Sequence, residues 1–281
     1  MTKNPFSRTN VVRLGLMLAV GTQVPHIGHA VDRIEKVAAM ADDYLTPRFS
    51  VGQTYGNVFS ILSSRKAEGY DEYAGRDGGS ADYIVVSASP AVWRFNSVVR
   101  YDGRPAGQHH EFEMRDRGSA SCQVSSGDKD KCKPHLDASG LAYNPSLWGA
   151  PPKRLSAGMR WKVDIQQAWE LGGKGGTETV TVVRIDPLTN SATLMREGSA
   201  EGFFNGESST VELSRNGQTE SFDVTPGTSR WKGYTTFVRG VVFSNELLVS
   251  RSDVLHAKDG KTLNSDTRCI MLLNASPYPT L

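Results

Sequence analysis

His109, His110, Glu111 and Glu113 are the residues whose types and spacing come nearest to chemistry. In an extended segment alternate side chains share a face, so His109, Glu111 and Glu113 project together. An imidazole beside two carboxylates is a donor set that a divalent metal such as zinc accepts. That pattern would make a metal-dependent enzyme. Same-face neighbours on a strand stand about 7 Å apart, however, so a metal needs further ligands from other strands. His135 and His256 are the remaining histidines beyond the first thirty residues. The opposite side of the segment carries His110, Phe112 and Met114, which read as core positions. A solvated polar face explains His109, Glu111 and Glu113 with fewer requirements.

Other spacings stop short of a mechanism. Asp128-Lys129-Asp130 begins like a calcium loop, but Cys132 falls on the next ligand position and the turn glycine is missing. The run Gly172-Gly173-Lys174-Gly175-Gly176 has the glycine of a phosphate cradle without its Lys-Ser/Thr ending. Gly198-Ser199-Ala200-Glu201-Gly202 carries alanine where a nucleophile elbow needs serine. No Ser-His-Asp or Cys-His spacing stands out. The expectation is a non-enzymatic protein without a cofactor.

Aromatic side chains are the stronger signal. Trp93, Phe95, Trp161, Trp169, Trp231 and Phe237 fall in strand-like segments, mostly on the apolar side. Lining the inside of a β-barrel, they would hold a hydrophobic ligand, with Tyr143 and Trp148 as a lid. Trp93, Phe95, Tyr143, Trp148, Trp161 and Trp231 are therefore the candidate ligand-binding residues. The plainer alternative is that these rings fill a core.

The elements that would position them are strands. In 93–101, Trp93, Phe95, Ser97, Val99 and Tyr101 alternate with Arg94, Asn96 and Arg100, as in a strand with one buried face. Asp102-Gly103, Asn216-Gly217 and Asp259-Gly260 supply tight turns, and Gly240 divides two further strands. The pattern predicts an all-β fold, an antiparallel meander in which each strand pairs with the next. So long a sheet closes into a barrel or half-barrel, or splits into two packed β units. Strands do not alternate with helices, so a parallel α/β sheet is not expected.

The expected organisation is a signal peptide at 1–30, an amphipathic helix within 31–48 and a first β segment at 49–118. A loop excursion follows at 119–158, then a second β segment at 159–281 continuous with the first. The excursion is rich in Gly, Pro, Ser and Lys, yet Leu141, Tyr143, Leu147 and Trp148 are apolar. Such residues must pack on the body or on a ligand. The helix is read from Ile34, Val37, Ala38, Ala41 and Leu45 at helical spacing, ended by Pro47.

The address comes from Lys3, Arg8 and Arg13, an apolar run from Leu14 to Val20, and small residues at Gly28 and Ala30. This is the layout of a secretory signal peptide cleaved after Ala30. Its apolar run is too short for a bilayer span, which takes about 20 residues. The leader holds three of the 32 basic residues, leaving 29 against 30 acidic ones, so the net charge turns from +2 to −1. That balance argues against nucleic acid as a partner. Export permits disulfides. Cys122 and Cys132 flank a polar loop and form the expected pair, with Cys269 a buried free thiol; a bridge to Cys269 is the alternative.

In architecture and address the chain resembles periplasmic β proteins of Gram-negative bacteria, including curved half-barrels that carry lipids. The resemblance implies a periplasmic or secreted protein, with no transmembrane segment in the mature chain, that binds an apolar small molecule or lipid. A protein that meets an envelope partner in assembly or inhibition is the second reading. The metal-dependent enzyme built on His109, Glu111 and Glu113 is the third.

Overall fold

The computed structural model describes residues 44–89, 92–115, 122–123, 133–134, 141–143, 148–165, 173, 175–203 and 208–276. The expected leader, most of the expected helix, Trp169, His135 and Cys132 lie outside the described residues. So does any view of a Cys122–Cys132 bridge. Cys269 is a free thiol.

The protein is all-β. The first strands are β1 (Thr54–Ala67), β2 (Tyr73–Ser89), β3 (Val92–Tyr101), β4 (Gln108–Arg115), β5 (Cys122–Gln123) and β6 (Lys133–Pro134). After the excursion come β7 (Arg160–Ile165), β8 (Gly176–Asp186), β9 (Ser191–Ala200), β10 (Thr210–Arg215) and β11 (Gln218–Thr225). The last are β12 (Ser229–Val238), β13 (Val241–Ala257) and β14 (Thr262–Ser276). They form one antiparallel sheet in the order β6-β5-β4-β3-β2-β1-β14-β13-β12-β9-β8-β7. Among the described residues β6 pairs only with β5 and β7 only with β8, so the sheet is open.

The meander expectation holds along most of the sheet, which adds two long-range pairings. The first strand pairs with the last over a continuous register, from Gly56↔Ser276 to Ala67↔Ser265. In addition, β9 skips the β10–β11 hairpin and pairs with β12. The skipped hairpin returns beside the far half of β13, where Phe222 to Thr225 pair with Ala257 to Val254. So β13 has two successive partners on one edge: β12 up to Ser250, then β11 from Val254. The turns occur where the sequence places them. Asn216 and Gly217 take φ of 52° and 76°, and Gly260 takes 87°, the left-handed backbone that tight hairpins need.

One face of the sheet is the core face, and its residues alternate as the pattern requires. On β12 and β13 the buried set is Trp231, Phe237, Leu247, Val249 and Leu255. At one end Tyr44, Leu45, Tyr143 and Trp148 pack over Val180, Val182, Leu194 and Phe237. Nearby, Leu141 and Ala142 join Phe49, Tyr83, Val85, Trp93 and Phe95. At the other end Leu213 and Phe222 of the hairpin pack on Leu255 and Ala67. The apolar part of the excursion thus packs on the body of the protein. Ala142 forms a bridge to Val241, and the Val242 N–H donates to the Leu141 carbonyl at 2.8 Å.

Candidate functional site

Between those packed ends Ile165, Ala200, Trp231, Leu247 and Val249 form a smaller buried cluster, and beside it the core face thins. Rows run across the sheet by register: Leu247–Met271–Ile61, and Val249–Cys269–Ser63. Leu247 and Val249 are buried, whereas Phe59, Ile61, Cys269, Met271 and Leu273 on β1 and β14 are only half-buried. Apolar side chains on a core face that stop short of burial form an apolar floor. It lies at the seam of the first and last strands.

Burial pushes the Cys269 thiol above its ordinary range. The thiolate is the reactive species. Alkylation of the folded protein should therefore stay slow at neutral pH and speed up only above the range where the urea-unfolded protein already reacts. A pH series of iodoacetamide labelling checks this. The same raised value sets the sign of a stability effect. The folded state holds the Cys269 proton more tightly, so its contribution is full below the unfolded thiol's range and is lost as pH rises through the folded one.

A buried polar network borders the floor. Glu178 is 1 % exposed and Arg196 3 %. The Arg196 guanidinium donates to Glu178 through Nε at 2.8 Å and through its Nη2 at 3.0 Å. The Trp231 indole N–H donates to the same carboxylate at 2.7 Å. Its ring lies over Gly198, where an added Cβ would meet Cζ2 at 2.5 Å. On the other side the Arg196 guanidinium sits 4.9 Å from the centre of the Trp148 ring, a cation–π contact in a desolvated setting. Trp148 is held in turn. Its carbonyl accepts the Tyr143 hydroxyl at 2.8 Å and the Trp161 N–H at 2.8 Å. Burial keeps the Tyr143 phenol far above its ordinary value, so it remains a donor.

The six aromatic candidates thus divide. Tyr143, Trp148 and Trp161 come together, with Phe237 5.2 Å from Trp148, and Trp231 joins them through Glu178 and Arg196. Trp93 and Phe95 lie in a separate group against Phe49, 5.5 Å and 4.9 Å away. These side chains are packed, Trp161 partly so, with Tyr143 and Trp148 as an end plug. The floor residues Phe59, Ile61, Met271 and Leu273 went unremarked in the sequence, as did Glu178, Arg196, Arg251 and Asp253. A usable signal exists for the charges: Glu178 has the parity of Val180 and Val182, and Arg196 that of Ala192 and Leu194.

His109 and Glu111 are exposed on β4, and Glu113 is buried against the Arg94 guanidinium at 3.1 Å. Among the described residues no three His, Cys, Asp or Glu side chains gather as a metal site would require. Among them, too, no helix is long and apolar enough to cross a membrane.

No family model matches the chain, and no curated protein matches it. Among solved structures it has similarity to a five-substitution mutant of the Rh. blastica porin, at 8% identity over 80% of this chain and 100% of that one, with a TM-score of 0.24. Ail, the attachment invasion locus protein of Yersinia pestis, gives 8% identity over 81% and 100%, with a TM-score of 0.17. The COG4313 outer membrane channel from Pseudomonas putida F1 gives 9% over 82% and 97%, with a TM-score of 0.21. Scores this low do not establish a shared chain path.

Proposed function

We propose that this is a non-enzymatic, β-half-barrel-like protein of the bacterial envelope that holds an apolar molecule against the floor of Phe59, Ile61, Cys269, Met271 and Leu273. The observation that carries the reading is the incomplete burial of this floor between two well-packed ends. Apolar surface on a core face is normally covered, and a ligand of a few hundred Å² would cover it at about 25 cal/mol per Å². Export to the periplasm fits the leader-like first thirty residues. The candidate aromatics act as the walls and end plug that hold the floor's shape, with Trp231 in the buried cluster against which Cys269 and Met271 pack.

A fluorescent long-chain fatty-acid probe should bind the purified protein saturably. Ile61→Glu and Met271→Glu each place a charge on the floor and should weaken probe binding at least tenfold with the far-UV spectrum unchanged. Bound probe should also protect Cys269 from alkylation. Absence of saturable binding across a panel of lipids and fatty acids, or binding untouched by both variants, would overturn the reading and leave the protein-partner alternative.

A further inference from the structure

We infer that the face opposite the core carries a second binding site, one for a phosphate group. A cavity of about 410 Å³ opens there, lined by Thr228, Arg230, Ser250, Ser252, Asp266 and Arg268 among others. The register lays out its centre. Arg230 on β12 pairs with Ser250 on β13, and Ser250 pairs with Arg268 on β14. The row continues to Ser199 beyond Arg230 and to Ser64 beyond Arg268. Two arginines therefore flank one serine, their Cα atoms about 10 Å apart across three adjacent strands.

Charge decides what this row would take. Among the described residues neither the Arg230 nor the Arg268 side chain has an ion pair or hydrogen bond, while the neighbouring Lys232 is matched by Glu197 at 3.6 Å. Among the described residues Asp266 is the acid lining the cavity, and its carboxylate accepts the Ser252 hydroxyl at 2.6 Å. Arg251, whose atoms also border the cavity, is engaged by Asp253 on the core side. The unmatched charge is positive. Two guanidinium groups over a shared serine repel each other until an anion with several oxygens sits between them. Forked N–H donors suit such an anion, and Ser250 and Thr228 add hydroxyl donors beneath it.

The next row of the same face is apolar. Leu248, Ile270 and Leu62 are in register on β13, β14 and β1 and are 52 %, 36 % and 38 % exposed. A phosphate site beside an apolar strip fits the head and neck of a phospholipid. A free phosphate would use the arginines alone. The phosphate chemistry is common to both.

Two titrations test the site: inorganic phosphate by calorimetry, and co-sedimentation with phosphatidylglycerol vesicles against phosphatidylcholine vesicles. Binding in either arm should fall at least tenfold in the Arg230→Ala/Arg268→Ala protein and should weaken with added salt. Phosphate binding that survives Leu248→Ser assigns the free anion. Phosphatidylglycerol binding that Leu248→Ser removes assigns the lipid head. Both arginines are exposed, so the variant should keep its fold and its fatty-acid probe binding on the opposite face. That separates failure here from failure of the proposed ligand floor. No binding in either arm, or binding retained without the two arginines, overturns the inference.

Discussion

Replacing Glu178 with leucine should cost about 3–5 kcal/mol of stability, read as a lowered urea midpoint. The substitution removes the partner of a guanidinium that is 3 % exposed, and it orphans the Trp231 N–H as well. Arg196 cannot recover its lost partner from water, because Trp148 covers it from the other side. The double variant Glu178→Leu/Arg196→Met discriminates between causes. If the loss comes from a stranded charge, the double variant should regain most of it, since a well-packed apolar pair often equals a buried ion pair. If the double variant is as weak as the single one, the network acts by fixing the position of Trp148 and Trp231 rather than by charge compensation. Trp148 fluorescence and probe binding should then change together.

Asp253→Ala should be comparably severe, about 3–5 kcal/mol by the same measurement. Asp253 and Arg251 have fully buried side chains, and their ion pair joins the guanidinium to both carboxylate oxygens. Arg65 reaches the same carboxylate from β1 at 3.4 Å, and the Thr267 hydroxyl donates from β14 at 3.4 Å. The Gly227 N–H donates at 3.1 Å. Gly227 belongs to the connection between β11 and β12, at the point where β13 changes partner. A Cβ at Gly227 would lie 2.0 Å from the Ser252 carbonyl oxygen, so only glycine lets the connection come this close. Losing the carboxylate takes a shared charge partner from Arg251 and Arg65 and releases that connection. Asp253→Asn keeps the shape and should still lose most of the stability, because the amide removes the carboxylate charge that Arg251 and Arg65 share.

The strands from β8 onward were legible because one face is buried and the other wet. Trp231, Gly233, Thr235 and Phe237 alternate with exposed neighbours along β12, and asparagine–glycine or aspartate–glycine marks the tight turns. The same logic read β3 correctly. It gives no alternation for β1, which lies inside the expected β segment 49–118, because burial is partial on both faces and Ser60, Ser63 and Ser64 interrupt the pattern. That blur coincides with the half-buried floor, whose residues lack the burial contrast of a core strand. The first half of β2 was hidden by Gly75, Gly78 and Gly79, which resemble a loop. At Gly79 the absence of a side chain serves packing instead, since a Cβ would lie 2.1 Å from the Arg100 carbonyl oxygen. The skipped hairpin and the pairing of first strand with last are long-range choices, and no local pattern encodes them. Glu178 and Arg251 carry charges, which usually mark an exposed position, yet their strand parity places them on the buried face.

The β1–β14 seam fixes the order of events during synthesis. Each half of the sheet can begin to assemble from neighbours in sequence, but the two halves meet only when the final strand has left the ribosome. Contacts between distant parts of a chain are also the slowest to close. A polypeptide cut short before Thr262 would keep much of both wings and have no floor between them. The half-buried seam of β1 and β14 is thus completed only after strands on both of its sides have begun to pair.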